Sequence, residues 1–98
     1  MKTGGKLTYH DSESKKITVS VCYWHVVNSA DKNEFLCLTR SESPISLTKS
    51  QSVSFKFTGP DSHYTLIGKG FIHTIQTFVF HHDSYSLMVG FIEESETK

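Results

Sequence analysis

The strongest constraint in this chain is a period of two. Over Ile17-Thr18-Val19-Ser20-Val21, and again over Val53-Ser54-Phe55-Lys56-Phe57, apolar and polar residues alternate one for one. Side chains alternate between faces along an extended strand, whereas a helix repeats its apolar face every three to four residues. A chain built this way must become sheet with one face against a core. Reading the alternation onward predicts strands over Lys6–His10, Ile17–Val27, Glu34–Arg40, Val53–Phe57, His63–Ile75, Thr77–His82 and Tyr85–Ile92. Turn chemistry separates them at Asn28–Asn33, at Thr58-Gly59-Pro60-Asp61-Ser62 and at His81-His82-Asp83-Ser84. The fold class is therefore all-β, a small antiparallel barrel or sandwich of six to seven strands. A barrel is favoured because closure hides edges rich in Val and Phe. Ser41-Glu42-Ser43-Pro44 interrupts the pattern, and Ile45–Ser52 has room for at most one short helical turn.

Pairing Val27 with Phe35 places Cys37 across from His25 and Cys22 on the opposite face, so the two thiols do not meet. Pairing Phe57 with Tyr64 puts Leu66, Gly68, Gly70 and Ile72 on the face of Val53 and Phe55. Two glycines two residues apart mean a bulge, a bend or a close backbone approach. The expected core is Val19, Val21, Phe55, Phe57, Leu66, Phe78, Phe80, Leu87, Val89 and Phe91, each on the apolar phase of its strand.

Ninety-eight residues fit one domain, 1–98, with residues 1–5 and 93–98 expected to fray. Charge balances to zero, and Arg40 is the one arginine among ten cations. That argues against a general nucleic-acid binder, which needs a basic surface, and against a polybasic membrane-surface protein. No apolar run approaches the length of a membrane span, so a soluble protein with no membrane contact is expected. Two widely spaced cysteines suit neither a zinc knuckle nor a disulfide scaffold, which predicts a reduced, cytoplasmic protein.

Six histidines (His10, His25, His63, His73, His81, His82) invite a metal reading, which requires three or four ligands to converge. His81 and His82 are adjacent, so on a strand they point to opposite faces, and His63 and His73 lie at opposite ends of one strand. No metal and no cofactor is expected. Cys37 beside His25 resembles a nucleophile pair, but both cysteines lie in apolar runs where small buried hydrophobes belong. Lys69 between Gly68 and Gly70 lacks the spacing and strand-to-helix context of a phosphate loop.

From Ile45 onward, the order of features resembles the second half of a PilZ-type barrel. Ile45-Ser46-Leu47 precedes Val53-Ser54-Phe55-Lys56-Phe57, then Leu66-Ile67-Gly68-Lys69-Gly70-Phe71-Ile72, then Tyr85-Ser86-Leu87-Met88-Val89-Gly90-Phe91. That family binds cyclic di-GMP through an RxxxR and a [D/N]xSxxG segment. This chain has one arginine and no stretch of the second kind, so the resemblance implies the barrel without its nucleotide site. A flavin split barrel is a fainter likeness over Ser52–Ile75.

With no acid–base pair, ligand cluster or nucleophile constellation, the expectation is a non-enzymatic binding or adaptor module working through protein–protein contact. The partner is another protein or a second copy, and the expected contact is Tyr23, Trp24, His25 and Val26, where both faces of the strand turn apolar. Two alternatives come from other classes. One is a small-ligand or nucleotide-binding barrel, which needs a concave site. The other is a single-stranded nucleic-acid binder, which needs Lys6, Lys16, Lys56 and Lys69 on one face beside Trp24 or Tyr64.

Overall fold

A computed structural model of the chain describes residues 4–47, 51–59 and 64–97. Six antiparallel strands form a closed barrel: β1 (Gly5–His10), β2 (Lys16–Asn28), β3 (Asn33–Ser41), β4 (Ser52–Thr58), β5 (Thr65–Phe80) and β6 (Asp83–Thr97). Around the barrel the order is β1-β2-β3-β6-β5-β4, with β4 returning to β1. No helix among the described residues is long and apolar enough to cross a membrane. The short helical turn expected within Ile45–Ser52 is not seen at Ile45–Leu47, Gln51 or Ser52, and residues 48–50 lie outside the described residues.

Most of the expected strands are present, but three expectations need correction. The two strands expected over His63–Ile75 and Thr77–His82 are one, because Gln76 between them stays paired with Leu87 of β6. The register of β5 shifts between Lys69 and Gly70 and again between Ile72 and Thr74. At the first shift the extra residue is Glu93 of β6, and Gly70 permits the close approach, since a Cβ there would lie 1.9 Å from the Phe91 carbonyl oxygen. Residues 93–97, expected to fray, extend β6, and Glu94–Thr97 pair with Leu66–Lys69 of β5. The β5–β6 turn is two residues, His81 and His82, both at positive φ (48° and 70°). That is the left-handed geometry a tight hairpin turn demands.

The core holds Leu7, Val19, Val21, Trp24, Phe35, Val53, Phe55, Phe57, Leu66, Ile72, Met88 and Ile92. Phe55 and Phe57 stack at 4.5 Å, and Phe35 tilts against both at 5.2 and 5.9 Å. Phe57 lies opposite Leu66 rather than Tyr64, yet the inward phase expected for β4 and early β5 holds because the slip is two residues. Leu47 is buried and Ile45 packs on the core near the end where Tyr9 Oη accepts a hydrogen bond from the Ser46 N–H.

The expected core is wrong in the last hairpin. Phe78, Phe80 and Phe91 are 50%, 58% and 48% exposed, and Leu87 and Val89 are only half-buried. Inside the barrel β6 places Ser84, Ser86, Met88, Gly90 and Ile92 instead. Phe35 requires this, since its ring lies where a Cβ on Gly90 would sit, 2.6 Å away.

Candidate functional site

The expected contact residues divide between the two sides of β2. Trp24 is 1% exposed and lies inside the barrel, stacked on Phe57 at 5.1 Å and Tyr64 at 6.0 Å. Its indole N–H donates to the Thr58 carbonyl at 3.0 Å. Val26 packs on the core, Tyr23 is half-buried on the outside, and His25 is exposed. A register shift between Val21 and Tyr23 explains why both faces looked apolar. The bulge at Cys22 moves the inward phase from odd to even positions. On the turn side of the bulge the β2–β3 pairing is one residue from the expected register, so that Val26 opposes Phe35 and Trp24 opposes Cys37. Cys22 is exposed, Cys37 is buried, and both are free. Burial pushes the Cys37 thiol up to about 12, which suits an inert packed thiol rather than a nucleophile.

The histidines do not converge. His10 ends β1, His25 faces outward on β2, His73 sits at the β5 bulge edge-on to Phe91, and His81 and His82 form the turn. His63 lies outside the described residues. Among the described residues no group of three or more His, Cys, Asp or Glu side chains could hold a metal.

Three of the four lysines needed by the nucleic-acid reading do gather. Lys6, Lys56 and Lys69 line an outer groove of about 550 Å³ with Thr8, Ser54 and Ile67. Glu94 and Glu96 line the same groove, and Lys69 pairs with Glu94 at 3.7 Å. Lys16 lies at the other end of β1, opposite His10. Trp24 is in the core and Tyr64 stacks on it, so the rings that would carry bases are committed to packing.

The feature that stands apart is the outer surface of β2, β3, β6 and β5. Cross-strand partners share a face, and here the register builds four rows. Tyr23 meets Leu38, which meets Leu87; His25 meets Leu36, which meets Val89. On either side, Arg40 meets Tyr85 and then Phe78, and Glu34 meets Phe91 and then Phe71. Phe78 stacks on Tyr85 at 5.5 Å. Phe71, Phe78, Phe80 and Phe91 are 40–58% exposed. At roughly 200 Å² per ring they leave on the order of 400 Å² in solvent. Adding Leu36, Leu38, Leu87 and Val89 carries the patch toward the upper end of the roughly 300–600 Å² typical of a monomer's largest. Arg40 and Asp83 close one rim with a 2.7 Å ion pair.

No family model, curated protein or solved structure matches the chain.

The surface was half legible in the sequence. Tyr85, Leu87, Val89 and Phe91 alternate plainly, but the alternation was assigned to the core. The missed signal was the other phase of the same strand, Ser84, Ser86, Met88, Gly90, where Gly90 makes room for the Phe35 ring of β3.

Proposed function

We propose that this protein is a non-enzymatic binding or adaptor module, and that it makes protein–protein contact through the outer face of β2, β3, β6 and β5. One observation carries the reading: the more apolar phase of β6 points away from the barrel. Inside stand Ser84 and Ser86, and outside stand Tyr85, Leu87, Val89 and Phe91. A sheet that faced only water on that side would carry polar residues there. The contact moves from the Tyr23–Val26 segment as a whole to Tyr23 and His25 with the rows beside them. The stacked rings of Trp24, Phe35, Phe55 and Phe57 occupy the barrel interior, which favours surface contact over an internal ligand site. Unpaired Cys22 and Cys37 suit a reducing compartment such as the cytoplasm.

The test is quantitative capture from the native host with wild-type chain, an outer-face variant (Leu87→Thr with Val89→Thr) and a groove variant (Lys69→Gln). Threonine keeps strand propensity while removing apolar area. Partners held by the wild type and the groove variant but lost by the outer-face variant support the reading. Partners lost only by the groove variant would move the site to Lys6, Lys56 and Lys69 and end it.

A further inference from the structure

Closure of the barrel leaves stretches of three strands with a neighbour on one side only among the described residues. β2 loses β1 beyond Ser20, β6 loses β3 beyond Phe91, and β5 loses β4 beyond Phe71, apart from the Ile72 N–H donating to the Gln51 carbonyl at 3.0 Å. Natural edges avoid pairing with other chains by carrying charge, bulges or proline. The β6 stretch carries Glu93, Glu94 and Glu96. The β2 stretch holds the Cys22 bulge, and Trp24 ties it to β4 through Thr58. The β5 stretch has a bulge at His73 and, beyond it, none of these defences. From Thr74 to Phe80 it reads Thr-Ile-Gln-Thr-Phe-Val-Phe, without charge, proline or glycine. Its last five residues, Gln76 to Phe80, are all exposed.

We propose that this edge pairs, antiparallel and across a two-fold axis at Thr77, with the β5 edge of a second copy of the chain. The inference goes beyond the outer-face reading, since the edge and the face are different surfaces. The bulge at His73 and the turn at His81 bound the open stretch, and Thr77 is its midpoint, so this register uses all seven residues. In it Thr77 opposes Thr77 of the other copy, Phe78 opposes Gln76, Val79 opposes Ile75, and Phe80 opposes Thr74. Thr–Thr and apolar pairs are the favourable kinds across strands, and no like charges meet. Phe78 of one copy lies diagonal to Phe78 of the other, within reach of aromatic side chains. Val79, 68% exposed as the barrel ends, gains an apolar neighbour. Phe78 and Phe80 together hold on the order of 200 Å² of exposed ring to bury, at roughly 200 Å² per aromatic. With seven paired residues on each copy, the contact falls at the small end of specific interfaces, below about 1,200 Å² in total, which predicts a weak, reversible dimer. Pairing two identical edges about a two-fold axis consumes both, so assembly stops at the dimer. The β6 outer faces then lie side by side as one double-width platform.

Self-opposition at Thr77 makes the test specific. Sedimentation velocity up to about 500 µM covers dissociation constants on the order of 100 µM. The wild type is expected to associate in that range. Thr77→Lys and Thr77→Glu should each weaken association at least tenfold, with circular dichroism showing an unchanged fold. Mixing the two variants should restore association by setting Lys opposite Glu. Should either Thr77 variant fail to fold, Val79→Lys, at an exposed position, decides in its place by the same tenfold weakening. A monomeric wild type overturns the proposal, as does association indifferent to both charges or a mixture that does not recover. A monomeric result would leave the outer-face assignment standing on its own capture test.

Discussion

Trp24 is the residue whose replacement most directly tests this barrel. Removing its ring in Trp24→Ala empties the space between Phe57 and Tyr64, and truncating a buried aromatic costs about 3–5 kcal/mol. The Thr58 carbonyl also loses its indole donor, which adds about 1–3 kcal/mol if no water reaches it. Domains have about 5–15 kcal/mol in all, so the variant should be partly unfolded without denaturant. Trp24→Phe keeps most of the stacking and gives up the hydrogen bond, so its loss should be about 1–3 kcal/mol. Urea titration followed by far-ultraviolet circular dichroism measures both, because the only tryptophan is the residue removed. Midpoints should fall in the order wild type, Phe, Ala, with similar slopes. A Trp24→Ala protein within about 1 kcal/mol of wild type would refute the buried placement and with it the phase change at Cys22.

Four further outcomes follow from the geometry. Gly90→Ala should cost about 1–3 kcal/mol or more, because its Cβ would lie 2.6 Å from the Phe35 ring and from the Phe71 carbonyl oxygen; an unchanged melting temperature would contradict that packing. Ser84→Ala should be neutral or stabilising by up to about 1 kcal/mol, since the Ser84 Oγ is buried without a hydrogen-bond partner among the described residues; a large loss would mean the hydroxyl is satisfied. Phe55→Ala should cost about 3–5 kcal/mol and Phe91→Ser under about 1.5, and reversal of that order in denaturant titrations would restore the opposite β6 phase. The Cys22 thiol should react with an alkylating reagent in the native protein and Cys37 only on unfolding. Because the folded Cys37 pKa is raised from 9.0 to about 12, its contribution is intact below pH 9. Between those values the unfolded chain loses the proton first, so stability falls by about 1.4 kcal/mol per pH unit. Cys37→Ala should flatten that slope.

How much was legible differs strand by strand. In β4 polar residues stand at every second place, so only one phase could face the core, and Val53, Phe55 and Phe57 were placed correctly. The Gly68–Lys69–Gly70 triplet announced a bulge, a bend or a close backbone approach, and a register shift and a close approach are there. In the second half of β2 both phases are apolar. The register alone indicates which faces in, and a single bulged residue, Cys22, inverted it. In β6 the larger residues were taken for the core, yet Gly90 is buried because Phe35 from β3 already fills that space.

By itself the sequence determined the class of structure: strands from a period of two, and turns from Asn, Asp, Gly and Pro. These are local properties, set by side-chain alternation and backbone preference within a few residues. Tertiary structure alone decided which face of β6 looks outward, where β2 changes phase and which stretch of β5 has a neighbour on one side only among the described residues. The reason is physical: alternation defines two faces but does not label them, and a slip of one residue exchanges them. The label comes from the strand opposite, and in this chain Phe35 on β3, which fills the space over Gly90, turns Tyr85, Leu87, Val89 and Phe91 of β6 toward the outside.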